Sequence, residues 1–115
     1  MEIIRERISR SELKKKYTNY FGTVTKAVVD LDRKVIAVDA ELHSDLEAIL
    51  IEDGSKPESL WGVNIYPSET RGQFIEFIAL INIRPSQDNY SMEIQDFSIR
   101  KRIGEIIFNL IDYET

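Results

Sequence analysis

Between Trp61 and Arg84 the chain alternates with a period of two, and this constrains the fold more than any other stretch. Trp61, Val63 and Ile65 alternate with Gly62, Asn64 and Tyr66, and Pro67 closes the run. A short loop with Gly72 leads into residues 74–84, which end at Pro85. Alternation at this period predicts two strands and a hairpin. With Tyr66 opposite Phe74, Ile65 meets Ile75, Val63 meets Phe77 and Trp61 meets Ala79. One face of the ribbon is then wholly apolar, and a slip of one residue would lose it. The other face pairs Asn64 with Glu76 and Gly62 with Ile78. Its centre also carries Ile78 and Leu80, so a helix or a second copy of the chain is expected to cover it.

The flanking segments complete an α+β pattern. Residues 3–5 read as a strand. Ser9-Arg10-Ser11-Glu12 has the form of a capping box, and Leu13, Tyr17, Tyr20 and Phe21 recur at helical spacing up to Gly22. This predicts an early helix over about 10–21. Residues 23–31 and 35–38 read as a strand pair around the turn Asp32-Arg33-Lys34. Residues 44–53 carry conflicting signals. Ser44 with Glu47 and the following Gly54 favour a helix, whereas Ala48-Ile49-Leu50-Ile51 favours a strand, and a strand is the expectation. Residues 85–95 read as a loop. Asp96 is a suitable N-cap for a C-terminal helix over about 97–112, with an apolar stripe from Ile99 through Ile103, Ile106 and Ile107 to Leu110. The expected architecture is an antiparallel sheet of five or six strands carrying both helices.

The chain has 115 residues, enough for one α+β domain over residues 1–115 with a real core. Fifteen basic against twenty acidic residues leave a net charge of −5, which disfavours nucleic acid and anionic membrane as partners. Cysteine is absent, which removes disulfides, thiolate metal sites and a thiol nucleophile. No apolar run nears the roughly 20 residues of a membrane helix, and the start lacks a signal-peptide pattern, so a cytoplasmic location is expected. Arg100, Lys101 and Arg102 stand early in the last helix, where the dipole disfavours cations, and hint at an acidic partner.

Several segments carry a resemblance together: Glu41-Leu42-His43-Ser44-Asp45, Leu60-Trp61-Gly62-Val63-Asn64-Ile65-Tyr66-Pro67 and Ile81-Asn82-Ile83-Arg84-Pro85-Ser86-Gln87. The chain resembles a family of short prokaryotic proteins catalogued only as a domain of unknown function, over nearly its whole length. That family tends to carry glycine in the first hairpin, before the Glu-Leu-His segment and at position 88; here stand Lys34, Asp39 with Ala40, and Asp88. It also tends to carry proline after the N-cap Asp, where this chain has Phe97. The resemblance implies no activity, but it implies that His43, Asn64 and Arg84 belong to a shared design.

Two clusters are candidates for chemistry. His43 is the only histidine, and an extended chain would set Glu41, His43, Asp45 and Glu47 on one face. One imidazole with carboxylates can bind a divalent metal through Glu41, His43 and Asp45, or work as a general base with an orienting acid through His43, Asp45 and Glu47. A lone histidine is more often part of a polar turn. Asn64, Glu76, Asn82 and Arg84 share one face of the predicted ribbon and suit an anionic ligand, although an internal ion pair of Arg84 is the simpler expectation. There is no phosphate-binding glycine loop and no nucleophile elbow. The reading is therefore a non-catalytic interaction module acting as a homodimer, with no cofactor. A small metal-dependent enzyme or anionic-ligand binder is the alternative, and an acidic regulator that captures another, basic protein is a third possibility.

Overall fold

The computed structural model describes residues 1–115. Ten elements follow one another: β1 (Glu2–Ile4), β2 (Ile8–Ser9), α1 (Arg10–Lys16), β3 (Thr25–Asp30), β4 (Val35–Val38), α2 (His43–Glu52), β5 (Leu60–Ile65), β6 (Ile75–Glu76), α3 (Phe97–Leu110) and β7 (Ile111–Asp112). Five strands form one antiparallel sheet in the order β1-β4-β3-β5-β6. The fold is α+β, with an early and a C-terminal helix, as the pattern predicts.

The sheet is buried on both faces because its central strands are apolar on both. Val29, Ile36, Trp61, Val63 and Ile65 face α3, which buries Ile103, Ile106, Ile107 and Leu110 against them. At about 1.5–3 kcal/mol for each large side chain, these four hold α3 to the sheet. Phe74 is buried there too, edge-on to Tyr113 with ring centroids 5.4 Å apart. On the opposite face Val28, Val35, Ala37 and Leu60 pack against Leu46 and Leu50 of α2.

The predicted hairpin register holds where the ladder exists. Asn64 faces Glu76, Ile65 faces Ile75, and the Tyr66 N–H donates to the Phe74 carbonyl. Ile75 and Phe77 pack, half-buried, against the α3-side core.

Three expectations require correction. Residues 44–53 are helix, not strand: Leu46 and Leu50, one turn apart, fill the second face of the sheet, and Gly54 at φ 112° ends the helix. Burial at helical spacing outweighs the weak strand preference of Ile49 and Ile51. Residues 74–84 are not one long strand. After Glu76 the chain turns to pair with residues 92–94, and Leu80–Asn82 forms a 3-10 turn. The early helix stops at Lys16 rather than 21. There Thr18 Oγ1 donates to the Lys14 carbonyl and Asn19 Nδ2 to the Lys16 carbonyl, so side chains take the acceptors that a longer helix would use.

The two ends of the chain meet. β2 pairs in parallel with β7, Ile8 opposite Ile111, and the Arg7 guanidinium donates to the carbonyls of Phe108 and Asn109 at the end of α3. No helix is long and apolar enough to cross a membrane.

Lys34, Asp39 and Asp88 are the three non-glycine residues at positive φ, at 57°, 71° and 57°. An L-residue in this region costs roughly 1–2 kcal/mol, less for Asp, and glycine's freedom in the unfolded chain returns part of any gain. Lys34→Gly is therefore expected to stabilise by about 0.5–1 kcal/mol, and Asp88→Gly by less. Asp39 differs, since its carboxylate accepts from the Asn19 backbone at 3.0 Å and from Asn19 Nδ2 at 2.6 Å. Asp39→Gly is expected to destabilise. Urea titrations of the three variants check this ranking, and a lower midpoint for Lys34→Gly would refute it.

Candidate functional site

The polar residues singled out by the sequence lie along the seam between α2, β5 and the turn at Leu80–Asn82. Where β6 leaves the sheet, β5 loses its neighbour and a side chain takes over. Asn82 is fully buried; its Oδ1 accepts the Gly62 N–H at 2.8 Å, and its Nδ2 donates to the Gly62 carbonyl at 2.9 Å and the Met92 carbonyl at 3.1 Å. One carboxamide thus does what a facing strand residue would do. The approach requires glycine at 62, because a Cβ there would stand 2.5 Å from Ala79 Cβ.

The other candidates are engaged within the chain. Asn64 Nδ2 donates to Glu76 Oε1 at 2.8 Å and to the Ile78 carbonyl at 3.1 Å. The Tyr66 hydroxyl donates to the same Glu76 oxygen, and burial, then Glu76, raise its pKa. Arg84 donates to Glu47 Oε2 at 2.9 Å and to the carbonyls of Pro57 and Ile81, with its guanidinium 5.4 Å above the Trp61 ring. Arg84 thus forms an internal ion pair, and the acid is Glu47.

His43 begins α2, and its Nε2–H donates to the Val63 carbonyl at 2.8 Å. Helical geometry turns its neighbours away. Glu41 and Asp45 are exposed, so the four side chains from 41 to 47 do not share a face. No group of three or more His, Cys, Asp or Glu side chains is placed to hold a metal ion.

Burial lowers the His43 pKa, against the opposing pull of the Val63 carbonyl. The folded state therefore binds its proton less readily than the unfolded state does. The stability tied to neutral His43 is complete above the unfolded value, near 6.5, and is lost as pH falls from there through the lowered folded value. Between pH 7.5 and 5 the protein is expected to lose more stability than His43→Gln does. Parallel slopes in denaturation experiments across that range would contradict this.

His43 and Asn64 also line a groove of about 360 Å³ whose other walls are largely apolar, including Leu42, Ile78, Leu80 and Met92. Leu80 is 68% exposed, and Leu42 and Met92 are exposed as well. Further along the same loop Ile83 and Tyr90 face solvent, and Phe97, at the start of α3, is 75% exposed. The loop is nonetheless firmly built. Buried Asn89 reaches the carbonyls of Asn82, Ser91 and Glu93 through Nδ2, and its Oδ1 accepts the Gln95 N–H. Sequence reading missed this surface, because solvent-facing apolar residues inside an irregular loop follow no period.

It also missed a network around Asp30, a buried carboxylate. Its Oδ1 accepts the N–H groups of Asp32 and Arg33, and its Oδ2 accepts the Ser55 hydroxyl at 2.6 Å. Arg33 then joins Ser55 and Asp53, and Arg5 joins Asp53. Hydrogen bonds from these two guanidinium groups bring the Asp53 pKa down to about 2.

Comparison with known proteins adds one match. A family model described as a protein of unknown function (DUF5674) aligns with residues 2–110. No curated protein and no solved structure matches the chain.

Proposed function

Because the chain belongs to the DUF5674 family of proteins of unknown function, its role has to be read from its own surface, and we propose that it is a non-catalytic interaction module that pairs with a second copy of itself in a prokaryotic cytoplasm. The observation that carries this reading is the apolar surface on the loop between β6 and α3. Leu80, Met92 and Leu42 gather at one groove, and Ile83, Tyr90 and Phe97 extend the exposed apolar surface along the same part of the chain. The second face of the sheet, where sequence alone would seek the partner, is instead filled by α2.

Large apolar and aromatic side chains of this kind supply the anchors of protein interfaces. A loop already held by the amides of Asn82 and Asn89 loses little freedom on docking, which favours affinity. Light scattering coupled to size exclusion tests the pairing at roughly tens of micromolar, where a complex of micromolar Kd is largely assembled. A dimer is expected. Leu80→Glu and Met92→Glu should return it to monomer with little change in melting temperature, since both side chains are solvent-facing. A monomeric parent protein under these conditions removes the reading.

A further inference from the structure

The turn between β3 and β4, the segment 56–59 and the first half of α3 line an open cleft of about 600 Å³. Lys34, Lys56 and Arg102 line it. The ion pairs of the structure use Arg5, Arg7, Lys16, Arg33, Arg71 and Arg84. None involves these three cations. Their side chains make no hydrogen bond either, so none of the three is tied up in a direct contact, although Asp32 and Glu58 share the lining. A second hollow, of about 490 Å³, adjoins this cleft and shares Lys34 and Arg102 with it.

The positions of two of these cations are fixed from below. The Lys34 N–H donates to the Asp30 carbonyl, and the Asp30 carboxylate holds the turn through the N–H groups of Asp32 and Arg33. The same carboxylate accepts from Ser55, next in the chain to Lys56. One buried acid therefore sets the spacing of Lys34 and Lys56. Lys34 is also held at φ 57°, where glycine would be free of strain. Backbone strain of this kind gathers at sites whose side chain is wanted in that place.

We propose that this cleft binds the phosphate group of a small phosphate monoester. A guanidinium and two ammonium groups match the oxygens of a phosphate dianion, and Ser59 and Gln87 add neutral polar groups to the lining. Leu31 and Ile99 give the organic part an apolar wall. Asp32 and Glu58 also line the cleft, so its walls hold three cations against two carboxylates. A dianion takes that balance from +1 to −1, whereas a triphosphate or a nucleic-acid backbone drives it strongly negative.

The test is a titration of the full-length 15N-labelled protein, followed by NMR, with phenyl phosphate as probe and inorganic phosphate in parallel. Saturable shifts are expected at residues 31–34, 56–61 and 99–102, with phenyl phosphate the tighter binder. Lys56→Ala and Arg102→Ala should each weaken binding about tenfold or more, as for the loss of one charge-assisted hydrogen bond. Lys34→Gly separates function from structure: it should melt higher in phosphate-free buffer and yet bind phenyl phosphate about tenfold more weakly. Shifts spread equally over Lys14, Lys15 and Lys16, equal affinity for the two probes, or unchanged affinity in Lys34→Gly would overturn the proposal.

Discussion

Asn82→Asp is expected to destabilise the protein by about 3–5 kcal/mol, the range for an uncompensated charge in the interior. The change adds no bulk, so packing is not the cause. Nδ2 donates to two carbonyls, those of Gly62 and Met92. An ionised carboxylate sets an acceptor against both, and a protonated one can serve only one of them. Asn82→Ala removes the conflict but leaves both Gly62 backbone groups unpaired beside a new void, for about 3 kcal/mol. Urea unfolding with an unchanged m-value measures each loss. A cost below about 1 kcal/mol for either variant, the net worth of an ordinary hydrogen bond, would mean that water reaches Gly62 and that Asn82 does not stand in for a strand.

Gly62→Ala is the second large effect, at about 3 kcal/mol, the upper part of the range for overpacking. The new methyl would lie 2.5 Å from Ala79 Cβ and 3.1 Å from Ile81 Cγ1. Ala79 cannot swing aside, because its Cβ is fixed to the backbone, so the whole turn after it has to retreat. That movement draws Asn82 off Gly62, and the two substitutions then damage one junction. Their double variant should fall short of the summed losses by about 1 kcal/mol or more, as contacting residues do. Ala79→Gly opens the space and should recover part of the loss in a Gly62→Ala background. Additive losses with no recovery would show that the turn and the strand do not press on each other.

The difference between what the chain disclosed and what it withheld has a physical basis. The α3 stripe and the pairing of Asn64 with Glu76 follow from local period and burial, which neighbouring residues encode. The helix at 43–52 does not. Its strand-like Ile49 and Ile51 are outweighed by the burial of Leu46 and Leu50 against Val28, Ala37 and Leu60, a contact between distant parts of the chain. The alternation of residues 74–84 is real, yet the ladder stops at Glu76 because the Asn82 amide satisfies Gly62, and period cannot tell an amide from a strand. At the candidate site, His43 and Arg84 were visible as residue types. Their partners were less so: one is a backbone carbonyl, at Val63, and the other is Glu47, 37 positions away. The family match, over residues 2–110, agrees with the resemblance carried by the motifs and leaves activity to be read from geometry.

The clasp of β2 on β7 makes the order of assembly a matter of synthesis. Arg7 finds the Phe108 carbonyl across 101 positions, and Ile8 lies beside Ile111. Closing a ring that long costs about 4 kcal/mol in chain entropy, more than two short strands return. On the ribosome β1 can join β4 early, but Arg7, Ile8 and Ser9 must wait until α3 has emerged and docked. A nascent chain stalled before Ile111 would hold a complete five-stranded sheet, with β2 alone left without a partner.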